Sequence, residues 1–313
     1  MVSFYALRRN SWNDSTPQQL RYSTLTQLPE FSNRLWFFFA KLKRKPKVLN
    51  THGSLLGYKK YLPNNQHTPY KLYDALTFKA SAKSADAVVV SSKLEYEDAV
   101  EFGIKKDKLH VIPMGVDVDE YINKPVRQNE NTINILFVGR IARVRRIELL
   151  LQAVAKLPIG FCLTIVGGEE KTSSLSRSGY INELKKLCKS LNINDRVTFI
   201  GSVAQDELFN WYSKGDIFAY PSLYENFGQP LLEAAAAGLP IVSTSVGVAK
   251  EIIQDGETGF LVAGEDQEIA DRITQLADNN LRRKMGNALK KKVRNLYGWQ
   301  KIIDQYMDVY QSL

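Results

Sequence analysis

Two carboxylates separated by seven residues, Glu225 and Glu233, offer the clearest chemistry in this chain. They sit in the stretch Pro221-Ser222-Leu223-Tyr224-Glu225-Asn226-Phe227-Gly228-Gln229-Pro230, which continues through Glu233 and a run of alanines to Gly238-Leu239-Pro240. Pro230 suits the first turn of a helix, where a missing N–H costs little. Glu225 therefore falls in a loop and Glu233 on the opening turns of a helix, and both can face one cleft. Carboxylates are good acceptors for paired sugar hydroxyls. The unpaired N–H groups at the helix start receive anions or sugar oxygens. The same spacing also fits two solvated glutamates around a routine loop, and the pair alone does not choose between these readings.

The elements that must position these residues read as alternating strands and helices. An apolar strand over 217–220 delivers Pro221 to the carboxyl edge of a sheet, the edge at which open α/β folds bind ligands. Further strands are expected at 133–138, 161–166, 197–200 and 240–243, with helices at 146–156, 178–190, 205–212, 230–237, 266–278, 280–294 and 299–311 between and after them. The strands are continuous apolar runs, as a parallel sheet covered on both faces requires. An earlier series has strands at 47–51, 87–91 and 109–112 with helices at 33–44, 70–83 and 93–102. Proline at 46 ends the first of those helices. Residues 1–33 read as polar and irregular, and 122–131 as a linker. The expected organisation is an N-terminal domain over 1–121, a second domain over 132–298 and a final helix over 299–313 that packs back on the first domain.

The formal net charge of +9 favours anionic partners such as phosphate-bearing substrates, anionic membranes or nucleic acid. Arg34, Lys41, Lys43, Arg44, Lys45 and Lys47 lie close together with no acid among them, just after Leu35-Trp36-Phe37-Phe38-Phe39-Ala40. That pairing suits an anionic membrane surface, and equally a packed helix with a solvated end. No nucleic-acid motif accompanies the charge. No apolar run approaches the length of a spanning helix. Cys162 and Cys188 have no metal-ligand spacing, and a reducing cytoplasm is the default compartment.

The frame Pro-Ser…Glu-Asn-Phe-Gly…Glu-Ala…Gly-x-Pro, with Glu225 and Glu233 in place, resembles the retaining glycosyltransferases of the family 4 type, also called glycosyl transferases group 1. The resemblance covers roughly 45–262. It implies a GT-B fold, two facing Rossmann-like domains, the first of them short or incomplete here. It implies a nucleotide-diphosphate sugar, UDP- or GDP-linked, as donor and a glycan or lipid-linked hydroxyl as acceptor. By this resemblance Glu225 holds donor-sugar hydroxyls, Glu233 the ribose, and Asn226, Phe227, Gly228 and Gln229 line sugar and diphosphate. Gly139-Arg140 matches the Gly-Arg that opens the donor domain, where an arginine forks onto the diphosphate. Arg145 and Arg146 stand where the family has Lys-Gly: Arg145 keeps the charge with a different geometry, and Arg146 replaces a small residue and is expected to crowd the cleft. Arg143 reads as part of a solvated helix start. Gly167 lies in a glycine turn, and Val203 follows the strand that borders the nucleobase. Thr51-His52-Gly53 resembles the strand-end His-Gly of the family, which makes His52 a candidate at the reacting centre; a hydrogen-bonded structural histidine is the other reading.

Breaking the glycosidic bond builds negative charge on the departing diphosphate, and preorganised cations stabilise it. A metal does the same work in other enzymes. No Asp-x-Asp pair stands at a strand end, so the expectation is a metal-free site served by Arg140 and Arg145, without a cofactor. Members of the family carry a longer segment before the His-Gly strand, with a glycine-rich loop near the phosphates, whereas residues 1–33 contain no glycine. A short active form and a weak or inactive nucleotide-sugar-binding remnant needing an upstream region or partner both fit. The sequence does not fix oligomeric state.

Overall fold

The computed structural model describes residues 23–25, 46–51, 55–56, 68, 79–119, 132–169 and 179–313. The chain divides into two compact units, Met1–Pro113 with Ile303–Leu313 and Met114–Ile302. The expected helix over 33–44, most of that over 70–83, the linker over 122–131 and His52 lie outside the described residues.

The first unit carries β1 (Ser23–Leu25), β2 (Lys47–Asn50), α1 (Lys79–Ser84), β3 (Ala87–Val90), α2 (Lys93–Phe102) and β4 (Leu109–Val111). The strands form one parallel sheet in the order β1-β2-β3-β4. β1 corrects the expectation of an irregular stretch before residue 33. Its polar sequence gives no strand signal, and its order comes from pairing with Lys47–Leu49 in the partner strand. Pairing context decides such short strands more than intrinsic preference does. Leu49, Val88 and Val90 pack on Ala82, Ala85, Ala99 and Phe102. α2 starts at Ser92, whose Oγ accepts from Glu95 N at 3.1 Å, the Ser-x-x-Glu signature of a helix start. The buried Glu95 carboxylate accepts from Ser91 N at 2.6 Å and from Thr51 Oγ1, which fixes the end of β2 against the head of α2. Within the same unit Asn50 Nδ2 donates to Tyr306 Oη at 2.8 Å.

The second unit alternates β5 (Ile133–Val138), α3 (Ile147–Lys156), β6 (Phe161–Val166), α4 (Tyr180–Ser190), β7 (Val197–Gly201), α5 (Leu208–Lys214), β8 (Ile217–Tyr220), α6 (Gln229–Ala236), β9 (Ile241–Thr244), α7 (Ala249–Ile252) and β10 (Gly259–Val262). Then come α8 (Asp266–Gln275), α9 (Asn279–Tyr297) and α10 (Trp299–Ser312), the last of which ends in the first unit. The sheet is wholly parallel in the order β10-β9-β8-β5-β6-β7. Every residue of β8 and β9 is buried, the apolar ones as a parallel sheet covered on both faces requires, and Ser243 and Thr244 with their hydroxyls donating to the Tyr220 carbonyl. The helix expected over 205–212 is split, a 3-10 turn at Gln205–Glu207 preceding α5. α9 runs past its expected end to Tyr297, because Met285, Leu289, Val293 and Tyr297 recur on one buried face.

α9 reaches α6 through a glycine. A Cβ at Gly286 would fall on the carbonyl oxygen of Gly238, far inside contact distance. In an exposed helix interior, glycine to alanine gains about 1 kcal/mol. Here the overlap with backbone reverses the sign, since forced overpacking costs roughly 1–3 kcal/mol. Gly286→Ala is expected to lower stability by about 2 kcal/mol, read as a lower urea midpoint at unchanged slope.

Candidate active site

The strand order of the second unit places its first strand, β5, beside its fourth, β8, and the chain leaves the two in opposite directions across the sheet. At such a switch point the loops diverge, and a crevice opens at the carboxyl ends of the strands. Gly139 and Arg140 follow β5, and Pro221 to Glu225 follow β8, so the two most specific sequence signals meet there.

Backbone pairing carries the β5 and β6 ends past their strands. Gly139 N donates to Val166 O at 3.0 Å and Ile141 N to Gly168 O at 2.8 Å. Gly167 has a φ of +144°, and a Cβ on it would overlap the carbonyl of Gly139. Only glycine permits this approach. Arg140 is exposed. Val203, after β7, is half-buried against the core.

Arg143, Val144 and Arg145 form one 3-10 turn. Arg143 points outward, with Nη2 2.7 Å from both Glu183 carboxylate oxygens and its guanidinium 4.9 Å from the Tyr180 ring centroid. Arg145 points inward and is 7% exposed. Its Nη1 donates to Ser222 Oγ at 3.0 Å, to Tyr224 O at 3.1 Å and to Glu225 Oε2. Its guanidinium stands 5.5 Å from the Tyr220 ring centroid. Burial opposes the charge on Arg145, but Tyr220 and Glu225 outweigh it and hold the guanidinium above its usual pKa. Arg145 Nε is buried with no hydrogen-bond partner. Arg146 does not crowd the crevice through its guanidinium: it takes a left-handed φ of 52° and sends Nη2 to Gly264 O at 2.7 Å.

The loop after β8 is tied from several sides. Ser222 Oγ donates to Tyr224 O at 2.8 Å, Leu223 N to Val144 O at 2.8 Å and Thr244 Oγ1 to Ser222 O at 2.5 Å. Tyr220 Oη donates to Glu225 Oε2 at 2.9 Å. Burial, with the Arg145 charge opposing and the nearby Glu225 carboxylate reinforcing, raises the Tyr220 phenol. Tyr224 donates to Asn226 Oδ1, and burial beside Glu225 pushes its phenol up to about 12. Phe227 is buried and its carbonyl accepts from Val248 N at 2.6 Å. Gly228, at φ +92°, turns the chain into α6. Gln229 Nε2 donates to Gly115 O at 3.1 Å, and its Oε1 is buried with no hydrogen-bond partner. Glu233 is buried on α6 and accepts from Tyr212 Oη at 2.7 Å.

Of the residues singled out in the sequence, those after β5 and β8 thus gather at one switch point. Gly167 and Val203 follow the neighbouring strands β6 and β7. Tyr212, Tyr220 and Thr244 were not singled out. A tyrosine closing a buried apolar strand was the available signal for Tyr220, since its hydroxyl must find a partner. Among the described residues no three His, Cys, Asp or Glu side chains gather as a metal site. No helix among them is long and apolar enough to cross a membrane.

Breaking a buried ion pair by removing one partner costs about 3–5 kcal/mol. Arg145→Met is therefore expected to destabilise the chain by about 3 kcal/mol, and Arg145→Lys to recover more than half of that loss in urea unfolding.

Two family descriptions match the chain: Glycosyl transferases group 1 over residues 118–292 and Glycosyltransferase Family 4 over residues 30–120. A D-inositol 3-phosphate glycosyltransferase of Xylanimonas cellulosilytica is 31% identical over 244 residues, 72% of this chain and 57% of that protein. The chain thus spans less than two thirds of that relative. An uncharacterised glycosyltransferase of Methanocaldococcus jannaschii is 30% identical over 294 residues, 88% of this chain and 72% of the other. Among solved structures, Anabaena HepE in complex with UDP and glucose superposes with a TM-score of 0.76 at 21% identity, covering 91% of this chain and 76% of HepE. Sucrose-phosphate synthase from Thermosynechococcus elongatus gives 0.73 at 27% identity over 89% of this chain and 71% of its own. The likeness is to the GT-B fold, with two parallel-sheet units.

Proposed function

The chain belongs to the glycosyl transferases group 1 family, and we propose that it moves a hexose from a UDP- or GDP-linked donor to a hydroxyl of a glycan or lipid-linked acceptor, with retained anomeric configuration. The observation that carries this reading is the meeting of Gly139-Arg140 and the Glu225 loop at the β5/β8 switch point. Glu225 holds hydroxyls of the donor sugar, and Glu233 holds the ribose. Asn226, Phe227, Gly228 and Gln229 line the sugar and diphosphate at the start of α6, with Gly139, Gly167 and Val203 completing the donor wall. Exposed Arg140 meets the diphosphate, and Arg145 adds positive charge from beneath the loop. These guanidinium groups stabilise the charge that grows on the leaving diphosphate. By the resemblance of Thr51-His52-Gly53 to the family's His-Gly, His52 is the candidate at the reacting centre. UDP and glucose in the HepE structure make UDP-glucose the first donor to test. The basic run over 34–47 brings the enzyme to an anionic membrane surface on the cytoplasmic side.

Calorimetric titration with UDP, GDP and their sugar conjugates, followed by transfer assays with whichever binds, tests the reading. Glu233→Ala is expected to weaken binding of the nucleoside diphosphate about tenfold, the worth of one hydrogen bond to a charged group. Glu225→Ala is expected to lower turnover by roughly two to three orders of magnitude. A folded chain that binds none of these nucleotides sinks the proposal.

A further inference from the structure

Both donor-site carboxylates are held by a tyrosine hydroxyl that comes from the core. Tyr212 Oη reaches Glu233 Oε2 at 2.7 Å, and Tyr220 Oη reaches Glu225 Oε2 at 2.9 Å. Neither tyrosine is more than 1% exposed. The two belong to one aromatic row: Tyr212 lies 5.9 Å from Phe218, Phe218 5.8 Å from Tyr220 and Tyr220 5.6 Å from Phe137, between ring centroids. A buried tyrosine needs a hydrogen-bond partner, but any nearby carbonyl would satisfy it. Here both hydroxyls choose an oxygen of a carboxylate that the site uses. On Glu225 the Tyr220 bond and the Arg145 bond converge on Oε2, which fixes the plane of the carboxylate.

We propose that Tyr212 and Tyr220 are positioning residues of the donor site, Tyr212 setting Glu233 for the nucleoside and Tyr220 setting Glu225 for the sugar. This rests on the donor-site reading given above. The row of rings makes the two settings one rigid unit, so the distance between nucleoside and sugar subsites is fixed by side chains that the donor does not touch. A phenylalanine at either position keeps the ring and its stacking and removes only the hydroxyl.

The test is calorimetric titration of the full chain and its Tyr212→Phe and Tyr220→Phe variants with UDP and UDP-glucose, or GDP and GDP-mannose if wild type prefers guanine. Tyr212→Phe is expected to weaken the nucleoside diphosphate and its sugar conjugate by the same factor, about five- to tenfold for one hydrogen bond. Tyr220→Phe is expected to leave the nucleoside diphosphate unchanged and to weaken only the sugar conjugate, by about the same factor. In transfer, both variants raise KM for the sugar conjugate by the factor by which its binding weakens, and only the second also lowers kcat. A merely structural role weakens both ligands in both variants, in step with a fall in Tm, and that pattern overturns the proposal. So does unchanged binding of both ligands by both variants. Absence of binding by wild type defeats the donor-site reading itself and is told apart from these outcomes by the wild-type titration alone.

Discussion

The contact on which the site depends is the pairing of β5 with β8. Only Ile135 with Ile217 and Leu136 with Phe218 are in register there, yet those four residues are fully buried. Burying an apolar side chain of that size is worth about 1.5–3 kcal/mol. A single loop hydrogen bond contributes about 1 kcal/mol net. The strand ends are therefore placed by the core, and the loops only refine what the core sets. Because the chain leaves the two strands in opposite directions, the connections that follow them diverge from their carboxyl ends. Gly139-Arg140 and the Glu225 loop become neighbours although the segments are far apart in sequence. The close approach of Gly167 to Gly139 then extends this sheet order one step into the loops.

Charge placement follows from the same geometry. Arg145 and Glu225 are nearly buried, at 9% and 17% side-chain exposure, so each needs the other to offset desolvation. A sugar hydroxyl is neutral and can bond to Glu225 without displacing the arginine. A diphosphate brought directly onto Arg145 would compete with Glu225 for Nη1. On the proposed reading the two arginines therefore divide the work. Arg140, exposed at the crevice, takes the diphosphate directly, while Arg145 holds the sugar-binding carboxylate in place and acts on the phosphates through space.

What was legible in the sequence is what local pattern dictates. Apolar runs mark β5, β6 and β8, because a strand covered on both faces is made mostly of apolar residues. Pro230 marks the head of α6. What escaped was whatever a distant segment decides. β1 has no apolar pattern and exists by pairing with β2. The resemblance makes Arg145 the second cation at the diphosphate, where the family has lysine, but its engagement of Glu225 depends on a loop eighty residues later in the chain. Tyr212 falls in a helix whose sequence gives no reason to expect Glu233 beside it; only the packing of α5 near α6 supplies the partner.

Arg146 shows how such a departure from family pattern is accommodated. The resemblance puts glycine at this position, and the backbone explains why, since φ is 52°. For a residue with a Cβ, the left-handed region costs about 1–2 kcal/mol. The bond from Nη2 to Gly264 O at 2.7 Å is a hydrogen bond from a charged group, worth about 1.5–3 kcal/mol. The two terms are of similar size with the bond the larger, so the arginine is tolerated without moving the backbone that glycine would prefer. The turn holding Arg145 inward is kept, and with it the carboxylate that the turn positions. The substitution also ties the loop before α8 to the start of α3, a bond that glycine would not make. A change that looked like an obstruction in the sequence is, in the fold, a brace.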